Sequence, residues 1–520
     1  MLDEIIQLEC KGFWELALKR MKIHLLTTGK FNSNNLHLLG RLYQRLKRLN
    51  PARKAYKKVL EIESNTPKTI NNLILLELDA FNIEKANYWL DKSLSLSHLE
   101  LNDKELIYNT ACDLKLFELK HGEALHYINT ILREKLSVIS LCNKSVCLQK
   151  LNKLAEAISI QLEAIILHLN INKSDLISKP IEELVGQRCG EIEESIRLQI
   201  TLMNLGILKL SKDPFDSIGL QLIKAGMYYD RENWINPTRD LSIWQGELTE
   251  KLLIWDDQGY GDSIQNLAWI SSAATKVKEL ELWLRPSLIK LVKTKYSLPE
   301  NCVIKVLEDK TIPPSTKSKH LGLFFLPFIL GEWNRSNLKS ASGCMKSNHY
   351  SSTKKQSKIG IIWSAGKHKA PQPERNARIR DIPFDEMWHT ACEWKNRYNL
   401  ELYSLQLEGD KEERLREKID SKLLHSPLKS SDWLDTAKVL ESLDLIVSVD
   451  TSIAHLAGSM GIPCILMLSC PADWRWGQSG TKSFIYESIF ICRCHIPGDW
   501  SQAIKEANNA IYRFFRENIE

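Results

Sequence analysis

From the start of the chain to about Leu220, apolar positions recur at helical spacing, in pairs of short segments. Leu36, Leu39, Gly40 and Tyr43 fall on one face of a predicted helix, and Ala52 and Tyr56 on one face of the next. The pattern L-x2-L-G-x2-Y followed by A-x3-Y then returns. Ala86 follows Ala52 at an interval of 34, with Leu90 in the place of Tyr56, and Leu73 follows Leu39 at the same interval. Ala124 with Ile128 and Ala157 with Gln161 follow at intervals of 38 and 33. Two short amphipathic helices cannot bury their faces alone, so such units stack, and small residues at the Ala positions allow close approach of the helices. Four units are readable, with Leu202, Leu205 and Gly206 opening a possible fifth. An irregular helical bundle is the plain alternative.

Beyond about residue 235 short apolar runs alternate with helical stretches, which reads as α/β. Leu252 to Trp255 and Leu280 to Leu284 are expected strands, the second after a helical run from Ser263 to Lys276. A poorly patterned stretch with Pro313, Pro314 and Pro327 follows. The Ser-, Asn- and Lys-rich segment from Ser336 to Lys358 reads as a linker. Ile359 to Trp363, Leu400 to Leu405, Leu445 to Val449 and Cys464 to Leu468 then read as buried parallel strands. The expected organisation is helical repeats over 1–225, a first Rossmann-like domain over 236–345, a linker over 346–358 and a second Rossmann-like domain over 359–520. Two such halves in series would face a cleft lined by the loops after the strand ends.

Composition narrows the function classes. Hydrophobic residues make up 43% and charged residues 26% of 520, an ordinary globular balance that excludes wholesale disorder. A net charge of +6 is too mild over this length for a dedicated nucleic-acid binder. The twelve cysteines are scattered without paired CxxC spacing, which fits reduced thiols rather than a disulfide framework or a structural zinc site. No metal and no cofactor is expected. The start MLDEIIQLECKGFWEL lacks a basic segment followed by an apolar core, and the longest apolar run, Leu321 to Leu330, is half of the roughly 20 residues that span a bilayer. These features predict a soluble, cytoplasmic protein with no signal peptide and no transmembrane segment.

Three constellations carry possible chemistry. In DDQGYGD (256–262), directly after a strand, Gly259 and Gly261 allow a tight turn and close approach to a ligand. Asp262 could cap the next helix or accept a proton from a substrate hydroxyl. From Ser351 to Arg380 there are eight Lys or Arg and one acid, bracketing the strand and small-residue loop IGIIWSAGK. Lys367, Arg378 and Arg380 follow the strand's end, as an anion site or as a solvated face. In DLIVSVDTSIAHLAGSMGIPCILML (444–468) a buried strand runs into Asp450, Thr451 and Ser452, and a helix carrying His455 begins at once. Helix-end N–H groups and hydroxyls could converge on an anion there. Alternatively Asp450 and Ser452 cap the helix and His455 is a core residue.

The repeats resemble the tetratricopeptide family. The stretch from about Trp244 onward resembles bacterial tetratricopeptide proteins whose catalytic part belongs with the heptosyltransferase-like family 9 glycosyltransferases. The resemblance rests on LLIWDDQGYGDSIQ, GIIWSAG, LYSLQLEG, DWLDTAKVLESLDLIVSVDTSIAHLAGSMGIPCILML, PADWRWG and PGDW, in matching order from Leu252 to Trp500. It implies a GT-B fold, with the nucleotide-sugar donor held mainly by the second domain and the acceptor by the first, and inverting, metal-independent transfer. By position it implies Asp262 as the base for the acceptor hydroxyl, with Gly259 and Gly261 beside the donor phosphates. Ser364, Lys367, Arg378 and Arg380 would face the diphosphate, Asp450, Thr451, Ser452 and His455 would cradle diphosphate and sugar, and Gln406 would border the nucleotide. One departure is that Asn266, Leu267, Ala268 and Trp269 replace an aromatic-x-Arg-aromatic run. Expected partners are a nucleotide-diphosphate sugar, a glycan or protein acceptor, and a protein bound by the repeats. The alternatives are a non-catalytic scaffold with a decayed GT-B part, or transfer of N-acetylglucosamine to protein hydroxyls.

Overall fold

The structure, a computed structural model, describes residues 1–10, 12–171, 192–225, 243–308, 318–336, 338, 340–347, 356–366, 378–406, 425, 428 and 432–517. Two compact units are present, one holding the helices up to residue 171 and the other the remainder.

The first unit is a series of antiparallel helix pairs: Leu2–Cys10 with Trp14–Thr28, Ser33–Arg45 with Leu49–Ile62, Pro67–Asp79 with Ile83–Leu94, Leu101–Phe117 with His121–Glu134, and Val138–Lys150 with Leu154–Leu169. Ala52, Ala86, Ala124 and Ala157 are fully buried on the second helix of their pairs, as are Tyr56, Ile128 and Gln161 one turn on, with Leu90 nearly so. Gly40 is needed for this packing, because a Cβ there would lie 2.4 Å from the Tyr56 ring.

The turns repeat as faithfully as the core. Gly12, Lys47, Phe81, Leu119 and Asn152, each five positions before an alanine, all adopt positive φ between 56° and 78°. Each first helix ends with the same two bonds: Lys47 N–H donates to Gln44 O and Arg48 N–H to Tyr43 O, and the equivalent pairs recur at 81/82, 119/120 and 152/153. This left-handed closure satisfies the last carbonyls of the helix. It also locates a pair that the sequence pattern does not reveal. The helices Leu2–Cys10 and Trp14–Thr28 close at Gly12 and bury Ala17, which precedes Ala52 by one repeat length, but they lack the L-G-x2-Y signature.

The second unit contains two all-parallel sheets. The first has strand order β3-β2-β1-β4, from β1 (Thr249–Trp255), β2 (Val277–Leu284), β3 (Cys302–Val306) and β4 (Lys319–Gly322). The second has order β6-β5-β7-β8-β9, from β5 (Lys358–Ile362), β6 (Glu401–Ser404), β7 (Leu445–Val449), β8 (Cys464–Leu468) and β9 (Ile489–Arg493). Strands β7 and β8 are buried at every position, so they read as unbroken apolar runs. The six strands expected from sequence are all present, and β3, β4 and β9 add to them. A tetratricopeptide-like solenoid followed by two Rossmann-like sheets is the fold class expected from sequence.

One core runs from the first sheet across to the near face of the second, and another fills the far face against Phe384–Tyr398 and Ser501–Glu517. The helix pair Ile192–Lys212 and Ser217–Ala225, which contains Leu202, Leu205 and Gly206, packs within this unit: Trp333 Nε1 donates to Pro214 O at 2.8 Å, and Leu210 and Ile223 join the first core. Most of the linker expected over 346–358 lies outside the described residues, but the part of the Ser336–Lys358 stretch just before it is packed. Ala341 and Met345 are buried, Ala341 N–H bonds Ile485 O, Met345 N–H bonds Ser459 O, and Lys358 opens β5. The polar residues around them hide two apolar anchors there.

Gly40→Ala is expected to lower the stability of the repeats by about 1–3 kcal/mol, since the buried Tyr56 ring has nowhere to move. Lys47→Gly is expected to raise it by about 0.5–1 kcal/mol by relieving a left-handed residue. Denaturant titrations followed by circular dichroism distinguish the two signs.

Candidate functional site

In each sheet the chain runs outward on one side and then returns to the other side of its first strand, so the strand order reverses beside β1 and β4 and again beside β5 and β7. Loops diverge at such points and leave a crevice at the carboxyl ends of the strands. The residues after β1, β5 and β7 are the three constellations singled out in the sequence.

After β1, Asp256 is fixed by Arg285 (Nε–Oδ2 2.5 Å, Nη2–Oδ1 2.8 Å) and by the Ser263 hydroxyl. Asp257 turns the other way and accepts from Phe324 N–H at 3.0 Å. A Cβ at Gly322, the end of β4, would lie 2.4 Å from its Oδ2. Burial pushes the Asp257 carboxyl up to about 7, the bond from Phe324 offsetting only part of the effect.

Asp262 takes the capping role left open by its position and adds an ion pair to it. Its Oδ2 accepts from Gly259 N–H at 3.2 Å, closing the start of Tyr260–Asn266, while its Oδ1 meets Arg475 Nη2 at 2.5 Å. The glycines need no unusual backbone. Gly259 has an ordinary φ of −69°, and Gly261 is not among the positive-φ residues, so neither supplies a left-handed turn. What Gly261 supplies is space, because a Cβ there would stand 2.7 Å from His455 Cδ2.

On the second sheet, Asp450 does not cap Ser452–Ser459. Its Oδ1 accepts from Trp476 Nε1 at 3.0 Å, and Arg380 Nη1 reaches its backbone oxygen at 3.0 Å and Oδ2 at 3.3 Å. Thr451 occupies the N-cap position without a side-chain cap bond, its hydroxyl lying 3.1 Å from Ser448 Oγ. Ser452 is the half-buried first residue of the helix. His455 is buried, with Nδ1 3.0 Å from the Tyr486 hydroxyl and its ring 4.9 Å from that of Trp476. Burial lowers its pKa and favours neutral imidazole, against the pull of Asp450 and Asp262. After β5, Ser364 N–H bonds Gln406 Oε1 at 3.1 Å, joining the loops that follow β5 and β6. Arg378 is exposed, and Lys367 lies outside the described residues.

Arg475 joins the site without having been among the residues expected there, although PADWRWG contains it. Its Nη1 lies 2.8 Å from Asp473 Oδ1, and its guanidinium sits over the Phe324 and Trp474 rings. Burial opposes its charge, but Asp262 and Asp473 outweigh that and hold its pKa above the ordinary range. An arginine between two tryptophans and two positions after an aspartate is the available signal. Ala268, where the resemblance would place an arginine, is buried in the apolar core, where a guanidinium would need a partner. No cluster of three or more metal-binding side chains occurs among the described residues.

Residues 33–66 match the tetratricopeptide repeat family. No curated protein matches the chain. Among solved structures, the family 9 glycosyl transferase from Veillonella parvula is similar at 8% identity over 54% of this chain and 100% of its own, with a TM-score of 0.36. The E. coli heptosyltransferase WaaC with ADP is similar at 12% identity over 52% of this chain and 99% of its own, with a TM-score of 0.34. A thermophilic tetratricopeptide protein of Thermus thermophilus is similar at 14% identity over 39% of this chain and 97% of its own, with a TM-score of 0.28.

Because Asp257 holds its proton to about pH 7 in the fold and to about 4 when unfolded, its contribution is complete below pH 4 and is lost as pH rises through 7. Asp257→Asn, which can still accept from Phe324, is therefore expected to be more stable than the parent at pH 8 and closer to it at pH 5. Thermal melts at the two values test the sign.

Proposed function

We propose that the α/β unit transfers a sugar from a nucleoside-diphosphate sugar to an acceptor hydroxyl, with inversion and without a metal, in the cytoplasm. The observation that carries this reading is the meeting of the helix that holds Asp262, from the first sheet, with the helix Ser452–Ser459, from the second, where the Gly261 backbone lies against His455. One offers a carboxylate to a hydroxyl. The other offers helix-end N–H groups, with no side-chain cap from Thr451, to a leaving anion.

In the proposed step the acceptor oxygen attacks the anomeric carbon while its proton passes to Asp262, whose oxygens keep lone pairs beyond the bonds to Arg475 and Gly259. The bond from the anomeric carbon to the phosphate oxygen breaks, and its electron pair leaves with the diphosphate. Thr451, Ser452 and the basic residues Lys367, Arg378 and Arg380 stabilise that charge. Such groups are worth several kcal/mol where water is excluded. Ser364 and Gln406 border the nucleotide, Asp450 fixes Arg380, and His455 positions the donor helix. The repeats hold the acceptor or a protein partner.

With nucleotide-sugars supplied without metal, a ligand at 100 times its Kd should add about 2.7 kcal/mol to the stability of the protein. Asp262→Asn is expected to keep that shift in thermal midpoint and to lose about 10²- to 10⁴-fold in turnover. No shift with any nucleotide would sink the transferase reading and favour a scaffold, and full turnover by Asp262→Asn would remove the assigned base.

A further inference from the structure

One short turn of the chain holds carboxylates from both halves of the candidate site. In Trp474–Trp476, which follows β8, Arg475 reaches Asp262 of the first half, while Trp476 Nε1 donates to Asp450 Oδ1 of the second at 3.0 Å. The turn is built to keep its shape. Asp473 Oδ1 accepts from Arg475 N–H at 3.0 Å and closes its start. Behind it, Arg493 of β9 donates from Nη2 to Trp476 O at 2.7 Å, from Nη1 to Gly477 O at 2.9 Å and from Nε to Gly480 O at 2.8 Å. Trp474 is buried against Trp333, Phe328 and Phe324, with ring centroids 5.5, 6.2 and 6.5 Å away.

From this frame the Arg475 side chain crosses the boundary between the halves. Its Nη2 lies 2.5 Å from Asp262 Oδ1, and its guanidinium rests over Phe324, also of the first half, with the ring centroid 5.4 Å away. Its Nη1 stays with Asp473 of its own turn at 2.8 Å. Gly259 N–H already holds Asp262 Oδ2, so the carboxylate is fixed at both oxygens, by its own loop and by the opposite half. The Arg475 and Asp262 side chains keep 16% and 20% of their surface exposed, which leaves the pair open to solvent and not sealed in the core.

We propose that Arg475 is the positioning residue for Asp262, aiming its carboxylate at the acceptor hydroxyl from the donor half of the unit. The inference rests on the sugar-transfer reading and adds to it a residue that acts only through the base. Placement counts at this scale, because a shift of about 1 Å in a reacting group can cost about 10²-fold in rate. The other role open to an arginine here is to bind the diphosphate, and its bonding argues against that. Both of its Nη groups are engaged by carboxylates, and Asp262, Asp450 and Asp473 face only two guanidiniums. Arg380, whose buried Nε has no hydrogen-bond partner among the described residues, keeps a donor for an anion.

The test uses the full chain with the nucleotide-sugar that stabilises it most. Binding is read from the thermal midpoint, and turnover as nucleoside diphosphate released to water or to an added glycan mixture. Arg475→Met is expected to bind within about threefold of wild type and to turn over about 10²-fold more slowly. Arg475→Lys, which can hold one carboxylate but not bridge two, is expected to recover about tenfold of that loss. Added to Asp262→Asn, Arg475→Met is expected to cost nothing further, since residues that act as a unit are not additive. Binding weakened about tenfold or more by both Arg475 variants would make the arginine a diphosphate ligand and overturn the inference, with the transferase reading intact. Full turnover by Arg475→Met would overturn it too, as would a further loss of about tenfold in the Asp262→Asn background. Should Arg475→Met not fold, Arg475→Lys carries the same comparisons. If no nucleotide-sugar binds, or wild type releases no nucleoside diphosphate, this inference falls together with the transferase reading.

Discussion

Two helices that begin at different sheets can touch only because residue 261 has no side chain. Tyr260–Asn266 follows β1 and Ser452–Ser459 follows β7, and they meet where the Gly261 backbone lies against the His455 ring. His455 is in turn held by Tyr486 and covered by Trp476. A methyl group at 261 would force apart a fully packed stack, and interiors of normal density have little slack to absorb it. A second tie lies further along the same boundary, where Lys295 and Glu441 form an almost buried ion pair at 2.6 Å between helices of the two halves. The mutual placement of the two strand-end loops is set by these contacts and not by the loops themselves.

The same boundary determines the electrostatics. Asp262, Asp450 and Asp473 stand against Arg380 and Arg475, with His455 favoured as neutral, so the described cluster carries one excess negative charge. Within the cluster Arg475 bridges two carboxylates and Arg380 is held by a third through Nη1, while the buried Arg380 Nε has no hydrogen-bond partner among the described residues. A diphosphate would bring more negative charge to a place that already has enough. The sugar-transfer reading therefore needs either the basic stretch around Lys367 and Arg378 or a change of partner by Arg380 or Arg475. The guanidinium of Arg475 sits between aromatic faces, which favour its charge without fixing its hydrogen bonds.

Much of this is legible in the sequence, and the reasons are physical. The alanine series 52, 86, 124 and 157 can be read because close helix packing tolerates little else there. The central strands β7 and β8 can be read because burial on both faces leaves an uninterrupted apolar run. Strand β3, at a sheet edge with Val303 and Val306 exposed, has no such pattern to show. Asp262 and the segment from Asp450 to His455 are visible because strand ends carry few polar residues by accident. Arg475 is not, since its role depends on Asp262, in the other half of the unit, and no local spacing encodes that meeting. The purpose of Gly261 is hidden for the same reason: glycine announces missing volume or unusual backbone, and only the fold says which.

The helix region after Asp262 bears on whether this part is more than a scaffold. Gln265 Oε1, Asn266 Oδ1 and Trp269 Nε1 are all buried without a hydrogen-bond partner among the described residues. Each such group costs about 1–3 kcal/mol relative to an apolar replacement of the same shape. Three of them within five residues, beginning one turn beyond Asp262, form an expensive way to build a structural segment. Ala268, in their midst, shows that an apolar residue is accommodated at this depth. Local rules of stability are broken most often where function requires it. The three atoms mark the segment after β1 as one where something other than stability accounts for the residues present.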